Sequence, residues 1–206
     1  MTYVPPSHAL SVAEERDHVG RAAAGEQDAI GVLYDAYIAR LYRYSLARVG
    51  TIEDAEDLAE EIFLKVLGAI DGFEWRDLGN SERSPFGAWI FRIASNHVAS
   101  FHRRNARRGH TSEVPEWLED SDRGPQELVE TQLTIIEVFN AVEQLPQAQR
   151  EVIRLRFAAG LNVAETAAAL NKQPANVKVL QHKGVKRLKE LLREAAQPPA
   201  QSQSAG

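Results

Sequence analysis

The sequence of 206 residues contains no cysteine, which excludes disulfide bonds, thiolate nucleophiles and cysteine-based zinc sites. It also has no run of roughly 18 apolar residues, so we expect no membrane-spanning helix. Residues 1–25 lack the basic start and apolar run of a secretion signal, and we therefore expect a cytoplasmic protein. The remaining composition, with 44% apolar and 26% charged residues, is that of a globular chain with one large or two small domains.

Sequence patterns typical of enzymes are missing as well. None of the six histidines lies in a His-Glu-x-x-His metal motif, and the chain has neither a glycine-rich phosphate loop nor a nucleophile elbow. We therefore expect no enzyme activity, no cofactor, no bound metal and no small-molecule substrate.

The net charge of −5 by itself argues against nucleic acid as a partner, but the charges are not evenly distributed along the chain. They are segregated into acidic and basic blocks. Residues 53–61 hold six acids and no base, and residues 92–110 hold five arginines and no acid. Residues 111–131 hold seven acids and one base, and residues 172–193 hold seven bases and one acid. Each block therefore needs its own explanation, and two of the four are suited to a polyanion.

Apolar residues recur every three or four positions through most of the chain, a spacing that predicts amphipathic helices. No segment alternates convincingly as a β-strand does, so we expect an all-α protein. Prolines and glycines mark breaks at residues 72–85 and 109–125 and divide the helices into two small domains. The expected division is a flexible extension (1–23), a first domain (24–108), an acidic linker (109–130), a second domain (131–194) and a disordered tail (195–206).

Residues 146–193 have the spacing of a helix-turn-helix unit. Asn162 and Glu165 are placed to form a capping box, Asn171 suits a tight turn, and Pro174 suits the first position of the next helix. That last helix has one apolar face and one cationic face, as a helix that enters the DNA major groove requires. The alternative is a surface helix whose lysines contact only water. The candidate DNA contacts are Asn176, Lys178, Gln181, His182 and Lys186.

The acidic block of the first domain lies along one face of an amphipathic helix. Neighbouring like charges repel each other on a helix surface, and a basic partner protein would relieve that repulsion. A purely solvated acidic face, which benefits near the helix N-terminus from the helix dipole, is an equally good interpretation.

The next helix combines Trp89, Arg92 and Asn96 on one face, and Arg103 and Arg104 continue its positive charge. An aromatic ring, an amide and guanidinium groups side by side suit single-stranded nucleic acid, because they stack on bases, bond base edges and hold phosphates. The preceding loop, residues 73–86, could form a pocket for an extruded base. The alternative for Trp89 is a place in the core, and His97 is interpreted as a packing residue.

Four segments in order resemble the extracytoplasmic-function (ECF) group of bacterial sigma factors. They are VLYDAYIARLYRYSLARVG (32–50), DAEDLAEEIFLKVL (54–67), SPFGAWIFRIASNHVASFHRR (84–104) and LPQAQREVIRLRFAAGLNVAETAAALNKQPANVKVLQHKGVKRLKELL (145–192). The resemblance implies two helical domains, region 2 and region 4, in an alternative sigma factor that binds core RNA polymerase and directs promoter-specific initiation. It also implies an anti-sigma protein as a further partner.

The resemblance implies a role for each charged face. Region 2 would dock on the β′ clamp helices of polymerase through Asp54, Glu56, Asp57 and Glu61. The family's Trp-x-x-Arg-x-x-x-Asn pattern matches Trp89, Arg92 and Asn96, which would recognise and melt the −10 element. Region 4 would read the −35 duplex and contact the β flap of polymerase.

Five positions depart from the family pattern and leave the promoter sequence open. Ser100 replaces an aspartate, Asn171 replaces a glycine in the turn, and Gln173 replaces a serine or threonine cap. Pro174 and Ala175 replace more polar residues. The alternative function is a helix-turn-helix regulator that binds duplex DNA without polymerase.

Overall fold

The computed structural model describes residues 10–49, 51–76, 78, 84–108 and 137–195, with residues 105–108 as backbone only. Within these ranges the chain contains helices and no strand, which confirms the all-α expectation. None of the helices in these ranges is long and apolar enough to cross a membrane. The helices of the first domain are α1 (Val12–Ala23), α2 (Gln27–Val49), α3 (Ile52–Leu67) and α4 (Pro85–Arg108), with a 3₁₀ turn at Ile70–Gly72.

The first described residues of the second domain are helical over 137–143. The domain continues with α5 (Gln147–Ile153), which runs directly into a π-helical turn at Arg154–Ala158. The helix-turn-helix unit is completed by α6 (Val163–Ala169) and α7 (Pro174–Ala195). The expected linker lies outside the described residues, as does the expected tail beyond Ala195.

Helix α1 corrects the expectation of a flexible extension for residues 12–23, whereas residues 1–9 of that extension lie outside the described residues. Ser11 caps α1, and Glu14 completes a reciprocal capping box, so the first turn is stabilised by its own side chains. Val19 and Ala22 are buried against the first domain, and Glu15 is buried with them. Residues 12–23 are therefore part of the packed body, because an amphipathic helix gains its stability from the face that it buries.

The core of the first domain is built around α2, which packs against α1, α3 and α4. Tyr37 and Tyr44 of α2 are fully buried, and each meets a phenylalanine of α4 edge to face. The ring centroids of Tyr37 and Phe86 are 5.7 Å apart, and those of Tyr44 and Phe91 are 5.6 Å apart. Edge-to-face pairs at such distances add to the stabilisation that burial provides, so α4 is held firmly along two turns.

The helix-turn-helix unit forms as its sequence predicts. The Asn162 side chain accepts hydrogen bonds from the backbone N–H groups of Ala164 and Glu165, and the Glu165 carboxylate accepts from the Asn162 N–H. Asn171 lies in the left-handed region with φ of 52°. Gly184 of α7 is buried at the crossing with α5, where a Cβ atom would lie 3.0 Å from the Ile153 Cγ1 atom. A glycine therefore permits the close approach of these two helices.

The two domains pack against each other. The apolar core of the first domain continues into the second through a group of four buried residues, Leu155, Ala159, Leu161 and Ala169. Across this contact Arg40 of α2 donates a hydrogen bond to the carbonyl of Ala159 (2.9 Å). The principal helix pair is α4 with α6, so the first helix of the helix-turn-helix unit rests on the helix that carries Trp89.

Candidate functional site

The acidic block occupies the solvent side of α3. Thr51 caps this helix, and Ala55, Leu58 and Ile62 bury its opposite side in the core. Among the predicted polymerase contacts, Asp54 is half-buried at the edge of the face. The exposed members of the acidic face are Glu53, Glu56, Asp57, Glu60 and Glu61.

Leu64 is an apolar member of the acidic face that sequence reasoning missed. Its side chain is 66% exposed, although neighbouring apolar residues of α3 are buried. Leu64 follows Glu60 by four residues and Asp57 by seven, so helical spacing already places it on the acidic face. An exposed leucine among carboxylates suits a contact that is both apolar and ionic.

Glu61 joins the acidic face to α4. Its carboxylate lies 2.6 Å from the Nε2 atom of His97, whose side chain is buried. This contact agrees with the interpretation of His97 as a packing residue. Glu61 is still about half exposed, so it helps to hold α3 against α4 and remains accessible on the face.

A cavity of about 430 Å³ lies beside the N-terminal half of α4. Trp89 and Arg92 line it together with Phe73, Arg76 and Leu78 of the preceding loop. The cavity volume is within the range of small-ligand pockets, about 300–1,000 Å³. A cavity of ligand size therefore lies next to this helix, and its use as a pocket for an extruded base stays a prediction.

Trp89 serves both the core and the cavity. One side of its ring stacks on Phe86 with a centroid distance of 5.6 Å and an interplanar angle of 27°, and Phe73 lies 5.0 Å away. The residue is nevertheless only half-buried and forms part of the cavity wall. The core interpretation and the binding interpretation of Trp89 thus describe two sides of one ring.

The polar face of α4 continues from the cavity toward its C-terminus. Arg92, Asn96, Arg103 and Arg104 are exposed, as a nucleic-acid face requires. The Ser100 hydroxyl donates to the Asn96 carbonyl (3.0 Å) and accepts from the Arg103 guanidinium (2.8 Å). Ser100 therefore orients Arg103 with a neutral hydroxyl and leaves the positive charge of the arginine uncompensated.

The second domain touches the same cavity. Ala168 of α6 lines it together with Trp89 and Arg92. The backbone N–H of Ser84, at the start of α4, donates to the Glu165 carboxylate of α6 (2.9 Å). Helix α6 therefore covers one side of the cavity in this arrangement of the two domains.

The cationic face of α7 points to solvent. The predicted contacts Asn176, Lys178, His182 and Lys186 are exposed, and Lys183 joins them. Gln181 is half-buried, and its side-chain carbonyl accepts a hydrogen bond from the Arg156 Nε–H (3.0 Å). Sequence reasoning missed Arg156 because nothing near it in the chain indicates a partner 25 residues away.

A polar cluster of Glu15, Tyr37 and Ser84 lies at the start of α4. Glu15 accepts hydrogen bonds from the Tyr37 hydroxyl and from the Ser84 hydroxyl, the latter at 2.5 Å. Burial raises the pKa of Glu15 above its ordinary value, although both hydrogen bonds oppose the shift. Burial, followed by the nearby Glu15 charge, also raises the pKa of Tyr37 well above the usual tyrosine range.

An ion-pair network connects α2 of the first domain to α5 of the second domain. Arg48 of α2 lies 2.5 Å from the Glu151 carboxylate of α5, and both side chains are largely buried. Arg154 pairs with Glu143 and lies 3.5 Å from Glu151. Burial lowers the pKa of Arg154, and burial together with the Arg48 and Arg154 charges lowers the pKa of His102 nearby. No group of three or more metal-ligating side chains occurs among the described residues.

Two family models match the chain in the order of its domains. Residues 33–108 match the model described as Sigma-70 region 2, and residues 141–190 match Sigma-70, region 4. The first match contains the acidic face of α3 and the whole of α4, and the second contains α5, α6 and nearly all of α7.

Curated relatives cover the same span. The chain is 39% identical over 180 residues to the ECF RNA polymerase sigma factor BldN of Streptomyces coelicolor. That match covers 86% of this chain but only 66% of BldN, so the chain spans about two thirds of its length. The chain is 33% identical over 177 residues to the ECF RNA polymerase sigma factor SigD of Mycobacterium tuberculosis, covering 84% of this chain and 81% of SigD.

Solved structures show the same fold at lower sequence identity. CnrH, determined in complex with the cytosolic domain of CnrY, matches with a TM-score of 0.65 and 23% identity, covering 89% of this chain and 99% of CnrH. The sigma factor RpoE, in complex with the anti-sigma factor NepR from Bartonella quintana, matches with a TM-score of 0.55 and 24% identity, covering 76% and 91%.

Proposed function

This chain belongs to the ECF RNA polymerase sigma factors, and we propose that it binds core RNA polymerase and directs it to a specific set of promoters. The observation that carries the proposal is the exposure, within one chain, of three faces of the required charge. They are the acidic face of α3, the arginine and asparagine face of α4, and the lysine face of α7.

The acidic face of α3 is the proposed contact with the β′ clamp helices of polymerase. The charge is supplied by Asp54, Glu56, Asp57 and Glu61, and Leu64 supplies an apolar contact at the C-terminal end of this face. A docked basic partner would relieve the repulsion among these closely spaced carboxylates.

The face of α4 is the proposed site of −10 recognition and melting. Trp89 and Arg92 border the cavity that would receive an extruded base, while Asn96, Arg103 and Arg104 follow the unpaired strand. Extruding a base requires energy, and stacking on an aromatic wall returns part of it.

The second domain is the proposed reader of the −35 duplex, with a further contact to the β flap. The lysines of α7 would hold phosphates, and Asn176, Gln181 and His182 would reach base edges in the major groove. We further propose that an anti-sigma protein regulates the chain, that it works in the cytoplasm beside polymerase, and that it catalyses no reaction itself. A regulator that acts without polymerase is not favoured, because such a protein has no need for the acidic face.

The test is capture of core polymerase by two charge-matched triple variants. Changing Asp54, Glu56 and Asp57 to alanine should weaken binding about tenfold, because three surface charge pairs at about 0.5 kcal/mol each contribute about 1.5 kcal/mol. The control changes Asp17, Asp28 and Asp71 to alanine, which removes the same charge from exposed sites elsewhere on the first domain. Equal capture by both variants would refute docking through α3, and failure of the unmodified protein to bind polymerase would refute the proposed function.

A further inference from the structure

The cationic face of α7 has an apolar residue at its centre. Val179 is 52% exposed, and its helical neighbours Lys178, His182, Lys183 and Lys186 are all exposed cationic or ionisable side chains. Val179 belongs to none of the apolar clusters formed by the described residues. The packing side of α7 is formed instead by Val177, Gly184 and Leu191, which are buried.

Neither packing nor helix stability accounts for a valine at this position. A β-branched side chain is a weaker helix former than the straight-chain residues around it, because the helix restricts its χ1 rotation. A half-exposed isopropyl group also leaves apolar area in water. The half-exposed isopropyl group of Val179 is therefore available for an apolar contact with a partner of α7.

The position of Val179 on α7 indicates the chemistry of that contact. It is the sixth residue of α7, within the N-terminal part of a recognition helix, which is the part that reaches base edges. Phosphates held by the surrounding lysines would bring the centre of the face against the floor of the major groove. The thymine 5-methyl group is the apolar feature that bases display there.

We propose that Val179 selects a thymine in the −35 element by packing its methyl groups against the thymine 5-methyl group. The inference rests on the proposed function of α7 as the reader of duplex DNA. The lysines provide affinity that depends little on sequence, because phosphates are the same at every base pair. Val179 provides discrimination at one position, since replacing the A·T pair by G·C removes the methyl group.

The experiment removes only that methyl group from the DNA. The polymerase holoenzyme first selects its preferred −35 duplex from a randomised pool, and each thymine of the selected duplex is then replaced in turn by deoxyuridine. At one thymine we expect the replacement to weaken binding about fourfold, the effect of losing one buried methyl group.

Three variants identify the protein side of the contact. Val179→Ala should bind the thymine duplex about fourfold more weakly and show no difference between thymine and deoxyuridine at that position. Val179→Ile should keep the preference for thymine. Lys178→Ala should weaken binding to both duplexes equally and reduce its salt dependence.

The outcomes separate this inference from the proposed function. Three outcomes would overturn the role of Val179 while the holoenzyme still binds promoters. The selected duplexes could lack thymine, binding could be equal after every replacement, or the thymine preference could persist in Val179→Ala. A holoenzyme that selects no sequence at all would refute the proposed function and this inference with it.

Discussion

Glu15 is a single residue that connects three parts of the chain. It lies on α1, is 5% exposed, and accepts hydrogen bonds from Tyr37 of α2 and from Ser84 at the start of α4. Burial of a carboxylate disfavours its charged form, which is why the pKa of Glu15 is raised despite these two donors. The residue thus positions α1 and α4 at an electrostatic cost that depends on pH.

The raised pKa of Glu15 predicts a decrease of stability with rising pH. The folded protein holds the Glu15 proton more tightly than the unfolded chain, so this contribution is complete below the ordinary pKa of 4.5 and is lost as pH rises through the folded pKa. Glu15→Gln should flatten the decrease. Urea unfolding across that pH range measures it, with the exposed Glu194→Gln as control. Parallel pH profiles for Glu15→Gln and the unmodified protein would contradict the prediction.

At the scale of one element, the helix-turn-helix turn depends on Asn171. This residue adopts φ of 52° between α6 and α7, and the following Lys172 N–H donates to the Ala167 carbonyl at 2.8 Å. Asparagine tolerates the left-handed region better than most residues that carry a Cβ atom, and glycine tolerates it best. The departure from the family's glycine therefore keeps the geometry of the turn.

Two substitutions at Asn171 test this account. Asn171→Ala should lower the free energy of unfolding by about 1 kcal/mol, because alanine has a steric penalty in the left-handed region and no side-chain oxygen to offset it. Asn171→Gly should change it by only a few tenths of a kcal/mol, since glycine adopts this conformation freely. Chemical denaturation followed by circular dichroism measures both variants. An equal loss of unfolding free energy in the two variants would show that the left-handed backbone conformation at this position does not limit the stability of the turn.

At the scale of the whole molecule, the arrangement of the domains bears on promoter binding. Helix α6 packs on α4, and Ala168 lines the cavity that also contains Trp89 and Arg92. An unpaired DNA strand on the α4 face would compete with α6 for this space. The cationic face of α7 remains exposed at the same time, so the domain contact affects the proposed −10 site more than the proposed −35 site.

The Arg48–Glu151 ion pair provides a test of the domain contact. Arg48→Ala leaves the largely buried Glu151 carboxylate with Arg154, 3.5 Å away, as its remaining partner. The cost should therefore be smaller than the about 3–5 kcal/mol of leaving a buried charge with no partner. The domains should therefore separate more readily, which small-angle scattering measures as an increased radius of gyration. Arg21→Ala, which breaks only exposed pairs, is the control. An unchanged radius in Arg48→Ala would show that the apolar contact alone holds the domains together.

Local sequence patterns predicted the features that arise from local interactions. The Asn162–Glu165 capping box, the start of α7 at Pro174 and the acidic side of α3 all depend on residues within about four positions of each other. The capping box of Ser11 and Glu14 at the start of α1 has the same local signature, so this helix is also encoded by residues close together in the sequence. The position of Leu64 on the acidic face likewise follows from helical spacing.

The amino-acid sequence by itself determined the helices, their caps, the charge on each face and the family of this protein, because periodicity and capping act over a few residues of chain. Only the tertiary structure decided that α6 lies against α4, that Gln181 is held by Arg156, and that Val179 stays uncovered. These outcomes depend on contacts between distant segments, such as the Arg48–Glu151 pair across 103 residues. Such contacts have no local signature, since either partner alone resembles any charged surface residue until folding brings the two together.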